Sequence, residues 1–331
     1  MKNKFVGIMA AVFVSLLATN LQAGKRIKIA TLAPNGTTWM NVMNEMAAEI
    51  KEKTKGEVKL KFYPGGVMGD EGDVIRKIRM GQVHGGGFTG RGLGEANPEE
   101  RVLELPRLFD NYAEVDCVLG KIQSRLTAGF EKKGFVLLGW AEAGFVYVFT
   151  NKPVHKAADI KGVKMWMWEG DPLAKALLKA NGIVPVPLDL PNVLTSMQTG
   201  LIDAVYSSPY AVVALQWHNR VKYMIKMKLT YASGALLISK KQFDKLTPEE
   251  QAILKEVAAK HSRRLTELTR KENDDAIGVL KKAGIKILDI GSEAAKIEKA
   301  SKAVYDALAG KLYSKELLED TLRYRDECRK K

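Results

Sequence analysis

The chain has 331 residues and a formal net charge of +14, and 46% of its residues are hydrophobic. Lysines and arginines are interspersed with acidic residues, so the positive charge predicts solvated helix faces and argues against a nucleic-acid-binding protein. The two cysteines, Cys117 and Cys328, are too few for a disulfide scaffold. They could form one bridge in an oxidising compartment or remain separate thiols.

The first 23 residues have the pattern of a secretory signal peptide. Lys2 and Lys4 precede an apolar run over residues 5–18, and the segment LQA that ends at Ala23 is typical of a cleavage site. The apolar run is short for crossing a bilayer, and an uncleaved anchor helix is the alternative. Cleavage after Ala23 leaves 331 − 23 = 308 residues with a charge of +14 − 2 = +12. We therefore expect an exported, periplasmic, monomeric protein, long enough for two domains.

The first part of the mature chain alternates between strand and helix patterns. RIKIATL (26–32) predicts a buried strand, and Thr37 or Thr38 then caps a helix whose apolar stripe includes Trp39. EVKLKFYP predicts a half-exposed strand, GDEGDVIRKIRMG the next helix, and VHGGGF a further strand. This alternation predicts an α/β fold with a mostly parallel sheet covered on both faces.

A second α/β unit follows. GFVLLGW and GFVYVFTN predict two consecutive strands within residues 134–151, and the alternation then runs from GVKMWMW to LIDAVYSSP. After a strand at 232–240, Thr247 begins a capping box, with Pro248 at the first helical position. No proline interrupts the run to Ala283, which predicts a helix of about 36 residues, roughly 54 Å long. A helix of this length should lie across two lobes.

Two segments that begin 193 − 74 = 119 residues apart share one pattern. VIRKIRMGQVHGGGFTG begins at Val74, and VLTSMQTGLIDAVYSSP begins at Val193. Each predicts a helix with an apolar face, a glycine C-cap and then a buried strand. The strand ends place residues 88–91 of one unit opposite residues 207–210 of the other. We expect two similar lobes with a ligand between the carboxyl ends of their strands.

Gly85, Gly87 and Gly90 form a G-x-G-x-x-G pattern, which raises the alternative of an NAD-type dinucleotide-binding enzyme. Gly85 and Gly87 lie inside the predicted strand, and the sequence after Gly90 has no apolar helical stripe, so this alternative is disfavoured. Small residues inside a strand more often allow close packing or close approach of a ligand. The four histidines have no metal-ligand spacing and no G-x-S-x-G elbow is present, so we expect no metal, no cofactor and no enzymatic activity.

Four segments resemble motifs of one known family. TLAPNGTTW, FYPGGVMGDEGDVIRKIRMGQV, DIKGVKM and SMQTGLIDAVYSSP are similar to those of the DctP-type substrate-binding proteins of TRAP transporters, and the resemblance covers residues 26–325. It implies a two-lobed periplasmic binding protein (Venus-flytrap) fold that closes around an organic acid and delivers it to an ion-gradient-driven membrane transporter. A protein that presents its ligand to a membrane signalling partner has the same fold and is the alternative.

We expect lobe 1 at residues 24–145, lobe 2 at 146–232, and a crossover strand, the long helix and C-terminal helices at 233–331. Hinges are expected near residues 142–150 and 228–236, where the chain crosses between lobes. Closure around a ligand that contacts both lobes would then create the surface that the membrane partner binds.

The chain departs from the family pattern at one ligand-binding position. The family has an arginine two residues after the lysine of G-x-K, where it binds a ligand carboxylate, and Trp166 occupies that position here. A simple dicarboxylate ligand is therefore not expected. Either Arg91 supplies the carboxylate clamp, or the pocket is mainly aromatic and apolar, with indole N–H groups as polar handles. The candidate ligand-binding residues are Trp39, Phe88, Arg91, Trp140, Trp166, Trp168, Tyr206 and Ser208.

Overall fold

The computed structural model describes residues 24–330, so the predicted signal peptide lies outside the described residues. The strands of the described part are β1 (Lys25–Thr31), β2 (Val58–Tyr63), β3 (Gly85–Thr89), β4 (Phe135–Thr150), β5 (Met165–Trp168), β6 (Pro185–Leu188), β7 (Ala204–Ser207), β8 (Tyr223–Ile225), β9 (Thr230–Ser239) and β10 (Lys286–Leu288). The α-helices are α1 (Thr38–Lys53), α2 (Glu71–Arg79), α3 (Gly90–Ala96), α4 (Tyr112–Lys132), α5 (Pro172–Ala180), α6 (Val193–Gln198), α7 (Pro209–Ala214), α8 (Lys240–Phe243), α9 (Pro248–Lys282), α10 (Glu293–Leu308) and α11 (Lys315–Arg329). No helix within residues 24–330 is long and apolar enough to span a membrane.

The strands form one mixed sheet with the order β2-β1-β3-β9-β4-β7-β5-β6, and β8 joins β4 to β10. Pairing is parallel between β1 and its neighbours β2 and β3, and between β5 and its neighbours β6 and β7. β9 pairs antiparallel with both β3 and β4. We call the part before β4 the first lobe and the part between β4 and β9 the second lobe. This arrangement confirms the predicted two-lobed α/β architecture.

The prediction of two strands within residues 134–151 was wrong. One 16-residue strand, β4, covers almost the whole segment and pairs with β9 through the first lobe into the second. The register of this pairing shifts at Gly139 and Gly144, and Gly144 has a φ of 96°. Such bulges bend a strand without ending it, so the sequence break near Gly144 marks a bend rather than a turn.

The long helix α9 is confirmed. Its 35 residues follow a capping box at Thr247, and they correspond to about 52 Å at 1.5 Å per residue. Leu254 and Leu265 pack in a core cluster with β1 and α1, whereas Leu280 packs with β5 and α6. The helix therefore contributes to the cores of both lobes.

A disulfide bond between Cys117 and Cys328 links α4 to the C-terminal helix α11. The two residues are 211 positions apart in sequence, and their Cα atoms are 6.1 Å apart. The bond settles the alternative that the sequence left open. A crosslink between distant positions restricts the unfolded chain and thereby stabilises the folded protein.

We expect reduction of this disulfide to lower the free energy of unfolding by about 2–4 kcal/mol, because the unfolded chain regains the conformations that the crosslink excludes. Urea unfolding of the mature protein with and without dithiothreitol measures the difference. A Cys117→Ala/Cys328→Ala variant is the control and should unfold at one midpoint in both conditions. An unchanged midpoint for the wild-type protein would contradict the expectation.

Candidate ligand-binding cleft

A cavity of about 210 Å³ lies between the two lobes. Its walls come from the end of β1 and start of α1, the ends of β3 and β7, and the segments around β5 and α5. Residues 87–91 of the first lobe and residues 206–208 of the second both line it. The two strand ends therefore face a shared crevice, as the sequence repeat predicts.

Seven of the eight candidate residues line this cavity; they are Trp39, Phe88, Arg91, Trp166, Trp168, Tyr206 and Ser208. Trp140 does not line it. Its ring packs against Phe130 of α4, with the ring centroids 6.2 Å apart. Trp140 follows the irregularity of β4 at Gly139, which changes the course of the strand, so its side chain lies in the layer beneath α4 instead of in the cleft.

Four aromatic side chains form a packed group on the second-lobe wall. The ring of Trp166 stacks on Tyr206 with the ring centroids 4.9 Å apart. It makes an edge-to-face contact with Trp217, with the ring centroids 5.4 Å apart. The centroid of Trp168 lies 5.5 Å from that of Trp166. Trp166 is only 1% exposed, so most of it belongs to the protein core, and the cavity has contact with a small part of its ring. The predicted sharing of one strand face by the two tryptophans is confirmed.

The expected role of the indole N–H groups as polar handles for a ligand was wrong. Nε1 of Trp166 donates to the backbone oxygen of Leu188 at 2.9 Å, and Nε1 of Trp168 donates to the Asp70 carboxylate at 2.6 Å. Buried Trp N–H groups need an acceptor, and the protein itself supplies one to each. These rings therefore offer a ligand apolar surface only.

Arg91 lies across the mouth of the cleft. Its Nε donates to the backbone oxygen of Glu169 in the second lobe at 3.1 Å, and its Nη1 pairs with Glu95 at 3.0 Å. The guanidinium therefore already holds the two lobes together through partners within the protein. As a carboxylate clamp, Arg91 would have to exchange at least one of these partners for the ligand.

A second arginine, which the sequence analysis missed, lies deeper in the cavity wall. Nη2 of Arg101 contacts both carboxylate oxygens of Asp171, at 3.1 and 2.8 Å, and Nη1 pairs with Glu104 at 2.6 Å. Glu104 also accepts hydrogen bonds from the backbone and hydroxyl of Ser233. No local pattern identifies Arg101, because its main partner Asp171 is 70 positions away in the sequence.

Two further carboxyl groups, those of Glu71 and Glu100, are buried in the first lobe. Burial raises the pKa of Glu71 to about 8, although hydrogen bonds from Thr89 and Gly92 lower it in part. Burial also raises the pKa of Glu100 to about 8, and the neighbouring Glu104 raises it further. Both groups are therefore mainly protonated at neutral pH, which reduces the negative charge behind the cavity.

The glycine-rich segment makes room for these acids. A Cβ atom on Gly90 would lie 2.0 Å from Oε1 of Glu104, and one on Gly92 would lie 2.9 Å from Oε2 of Glu71. Gly85 and Gly87 lie within β3, as predicted. A short helix, α3, begins at Gly90 and buries Leu93, although the sequence has no apolar helical stripe there. Two of its four buried residues are glycines, so the buried face of the helix is not visible as an apolar stripe.

Asp70 connects the lobes at the edge of the cleft. It caps α2 in the first lobe and accepts the hydrogen bond from Trp168 in the second. Burial raises the pKa of Asp70 to about 6, and the nearby Asp189 carboxylate adds to the rise. The other acidic groups next to it are Glu71 and Asp73 of α2.

The two-lobed fold and cleft are found in proteins of known type. Residues 29–312 of the chain match the model of the DctP family, which is described as "Bacterial extracellular solute-binding protein, family 7". The chain belongs to this family. Family 7 consists of substrate-binding proteins rather than enzymes, and its members act outside the cytoplasm.

Known solute-binding proteins resemble the chain over most of its length. A solute-binding protein of Verminephrobacter eiseniae is 30% identical over 273 residues, which are 81% of this chain and 80% of that protein. The 2,3-diketo-L-gulonate-binding periplasmic protein YiaO of Escherichia coli is 28% identical over 241 residues, or 72% of this chain and 73% of that protein.

Solved structures of solute-binding proteins have the same fold. A TRAP periplasmic solute-binding protein from Citrobacter koseri with bound D-glucuronate has a TM-score of 0.82 and 27% identity, covering 89% of this chain and 98% of its own. The sugar acid binding protein of Advenella mimigardefordensis in complex with galactonate has a TM-score of 0.87 and 22% identity, covering 92% and 99%. At the lower identity the likeness supports the fold alone.

We expect Gly90→Ala to lower the free energy of unfolding by about 1–3 kcal/mol, because the added methyl group would overlap the buried Glu104 carboxyl. Urea unfolding measures this. Gly278→Ala is the control: Gly278 is exposed on α9 with open space around it, so alanine should stabilise the protein by about 1 kcal/mol. Equal stability of Gly90→Ala and the wild type would show that Glu104 can move aside.

We expect closure of the cleft to weaken about tenfold between pH 5 and pH 7, since the Asp70 carboxyl must ionise beside Asp189 in the closed form but titrates near pH 4 when exposed. The pKa is higher in the closed form, so protonation favours closure and ionisation above pH 6 opposes it. Small-angle X-ray scattering over this range measures the closed fraction. Asp70→Asn should abolish the dependence; an unchanged pH profile in this variant would assign it to another group.

Proposed function

We propose that this protein captures a small organic ligand with a flat or apolar body in the interlobe cavity and delivers it to the membrane components of a TRAP transporter. The observation that carries the proposal is a cavity between two lobes whose wall is largely aromatic and aliphatic. Trp39 and Phe88 contribute from the first lobe, and Trp166, Trp168 and Tyr206 contribute from the second. A ligand in this position contacts both lobes and therefore favours the closed form.

The size of the cavity limits the ligand. An engineered apolar cavity of about 150 Å³ in another protein holds a benzene molecule. The cavity here is about 210 Å³. It therefore suits one ring, or an aliphatic group of similar volume, with one or two small substituents. Hydroxyl groups of Thr31, Ser207 and Tyr210 in the cavity wall can orient such substituents.

The related proteins support the proposal that this protein binds and delivers a small ligand, but they do not identify that ligand. Those from Escherichia coli and Citrobacter koseri are described with 2,3-diketo-L-gulonate and D-glucuronate, which are hydrophilic acids. This chain has Trp166 at the position of the usual carboxylate-binding arginine, and the ring is buried among other aromatic groups. We propose a less polar ligand for that reason.

We propose further that residues 1–23 are a cleaved signal peptide that directs the protein to the periplasm, and that it binds its ligand without chemical turnover. β4 and β9 join the lobes. We place one hinge in residues 142–150 of β4 and the other in residues 228–236, which include the first part of β9. The family supports export and binding without turnover. The connectivity of the sheet supports the position of the hinges.

Native mass spectrometry of the purified mature protein, followed by extraction, should identify a co-purified ligand of about the volume of a substituted ring. Ala211→Leu should lower the affinity for this ligand at least tenfold, because Ala211 lines the cavity and the larger side chain would fill part of it. Isothermal titration calorimetry measures the affinity.

Ala303→Leu is the matched control, since Ala303 is exposed on α10 and does not line the cavity. Its affinity should equal that of the wild type. A hydrophilic dicarboxylate as the bound compound would contradict the apolar class of ligand. Equal affinities for the wild type and Ala211→Leu would place the binding site elsewhere.

A further inference from the structure

The ion pair between Arg101 and Asp171 crosses the cleft within the cavity wall. Arg101 lies in the 3₁₀ helix Pro98–Glu104 of the first lobe, and Asp171 is the N-cap of α5 in the second. Both side chains are only 6% exposed. One guanidinium nitrogen contacts both oxygens of the carboxylate. Asp171 thus occupies a guanidinium nitrogen that could otherwise bind a ligand carboxylate.

The position of Asp171 is fixed by its own helix. Oδ1 accepts hydrogen bonds from the backbone nitrogens of Leu173 and Ala174, at 2.9 and 3.2 Å. The carboxylate therefore has backbone donors on one side and Arg101 on the other. On the far side of Arg101, Glu104 holds the second guanidinium nitrogen. The arginine thus faces the cavity with its terminal nitrogens already bound to acidic groups.

The charges in the cavity wall add to this effect. The cavity wall contains two arginines, Arg91 and Arg101, and three acidic residues, Glu71, Glu104 and Asp171. Glu71 is mainly protonated at neutral pH, so the remaining formal charges sum to +2 − 2 = 0. A ligand carboxylate would add a net negative charge, and both arginines already have partners within the protein. Burial of an unpaired charge is strongly unfavourable.

We propose that Asp171 occupies Arg101 in place of a ligand carboxylate and so restricts this cavity to uncharged ligands. This inference rests on the proposed function, because it assigns a charge class to the ligand of the same cavity. A neutral amide or hydroxyl group can share hydrogen bonds with the wall without disturbing the ion pair. A carboxylate can bind Arg101 only by displacing Asp171 from it.

Three planar compounds of nearly equal shape test this: benzoate, benzamide and benzamidinium, which carry charges of −1, 0 and +1. For the wild-type protein, freed of co-purified ligand, we expect calorimetry to give benzamide at least tenfold higher affinity than either ion. Asp171→Asn keeps an oxygen for the helix cap but removes the charge opposite Arg101. It should raise the affinity for benzoate at least tenfold and change that for benzamide less than threefold.

Asp203→Asn is the matched control. Asp203 is also a largely buried aspartate of the second lobe, but it pairs with Lys152 and does not line the cavity. This variant should keep the wild-type order of affinities. The order can be measured on the wild type alone, so the test does not depend on folding of the Asp171 variant.

Tighter binding of benzoate than of benzamide by the wild type would overturn the proposal, as would an anionic co-purified ligand. Tightest binding of benzamidinium would assign a cationic ligand instead and would also overturn it. If none of the three compounds binds and no ligand co-purifies, the proposed function itself fails. If an apolar ligand binds with the same dependence on charge in the wild type and Asp171→Asn, the cavity function stands and the role of Asp171 does not.

Discussion

The antiparallel ladder between β4 and β9 determines the geometry of the cleft. It is paired from Phe135 with Ser239 in the first lobe to Val146 with Thr230 at the second, with register shifts at Gly139 and Gly144. Separation of the lobes by translation would break this ladder, whereas bending at a bulge leaves most of its hydrogen bonds intact. α9 packs against β4 on the same side of the sheet as α1 and α7. The strand ends of the lobes consequently keep a fixed mutual orientation, and bending changes mainly the width of the cleft.

Buried charge is the second constraint. A guanidinium as deeply buried as that of Arg101 must be neutralised by carboxylates with good geometry, and Glu104 and Asp171 satisfy this requirement from the two lobes. The carboxyl of Glu104 in turn needs the space above Gly90. The glycine pattern that resembles a phosphate-binding loop therefore has a packing explanation. It removes side chains from β3 and α3 so that acidic groups can lie beneath the cavity.

The sequence was informative where the determinant is local or periodic. The capping box at Thr247 and the uninterrupted run after it predicted α9 within a residue or two at each end. The gapless repeat at Val74 and Val193 predicted the two facing strand ends, because period, glycine cap and buried strand occur in the same order in each. Three of the candidate residues that line the cavity, Phe88, Arg91 and Ser208, lie in these strand ends.

Other features depend on contacts or on backbone irregularities that the sequence does not reveal. The orientation of Trp140 depends on packing against Phe130 of α4 and on a β-bulge at Gly139. A single glycine in a strand does not predict such a bulge. The indole of Trp168 is committed to Asp70, 98 positions away. The pairing of Cys117 with Cys328 depends on how α11 returns to α4. None of these contacts has a local sequence pattern.

The resemblance to the family implies an arginine at the position of Trp166. With that arginine, the second lobe would supply a positive charge to a ligand carboxylate. Here the second lobe supplies a carboxylate, Asp171, and the first lobe supplies the cation, Arg101. The principal charged contact across the cleft is thus made by the protein with itself. A ligand shifts the equilibrium only by its differential affinity for the closed form, so part of the free energy of closure is already present before the ligand binds. The apolar contacts of a small ring can then be sufficient to complete it.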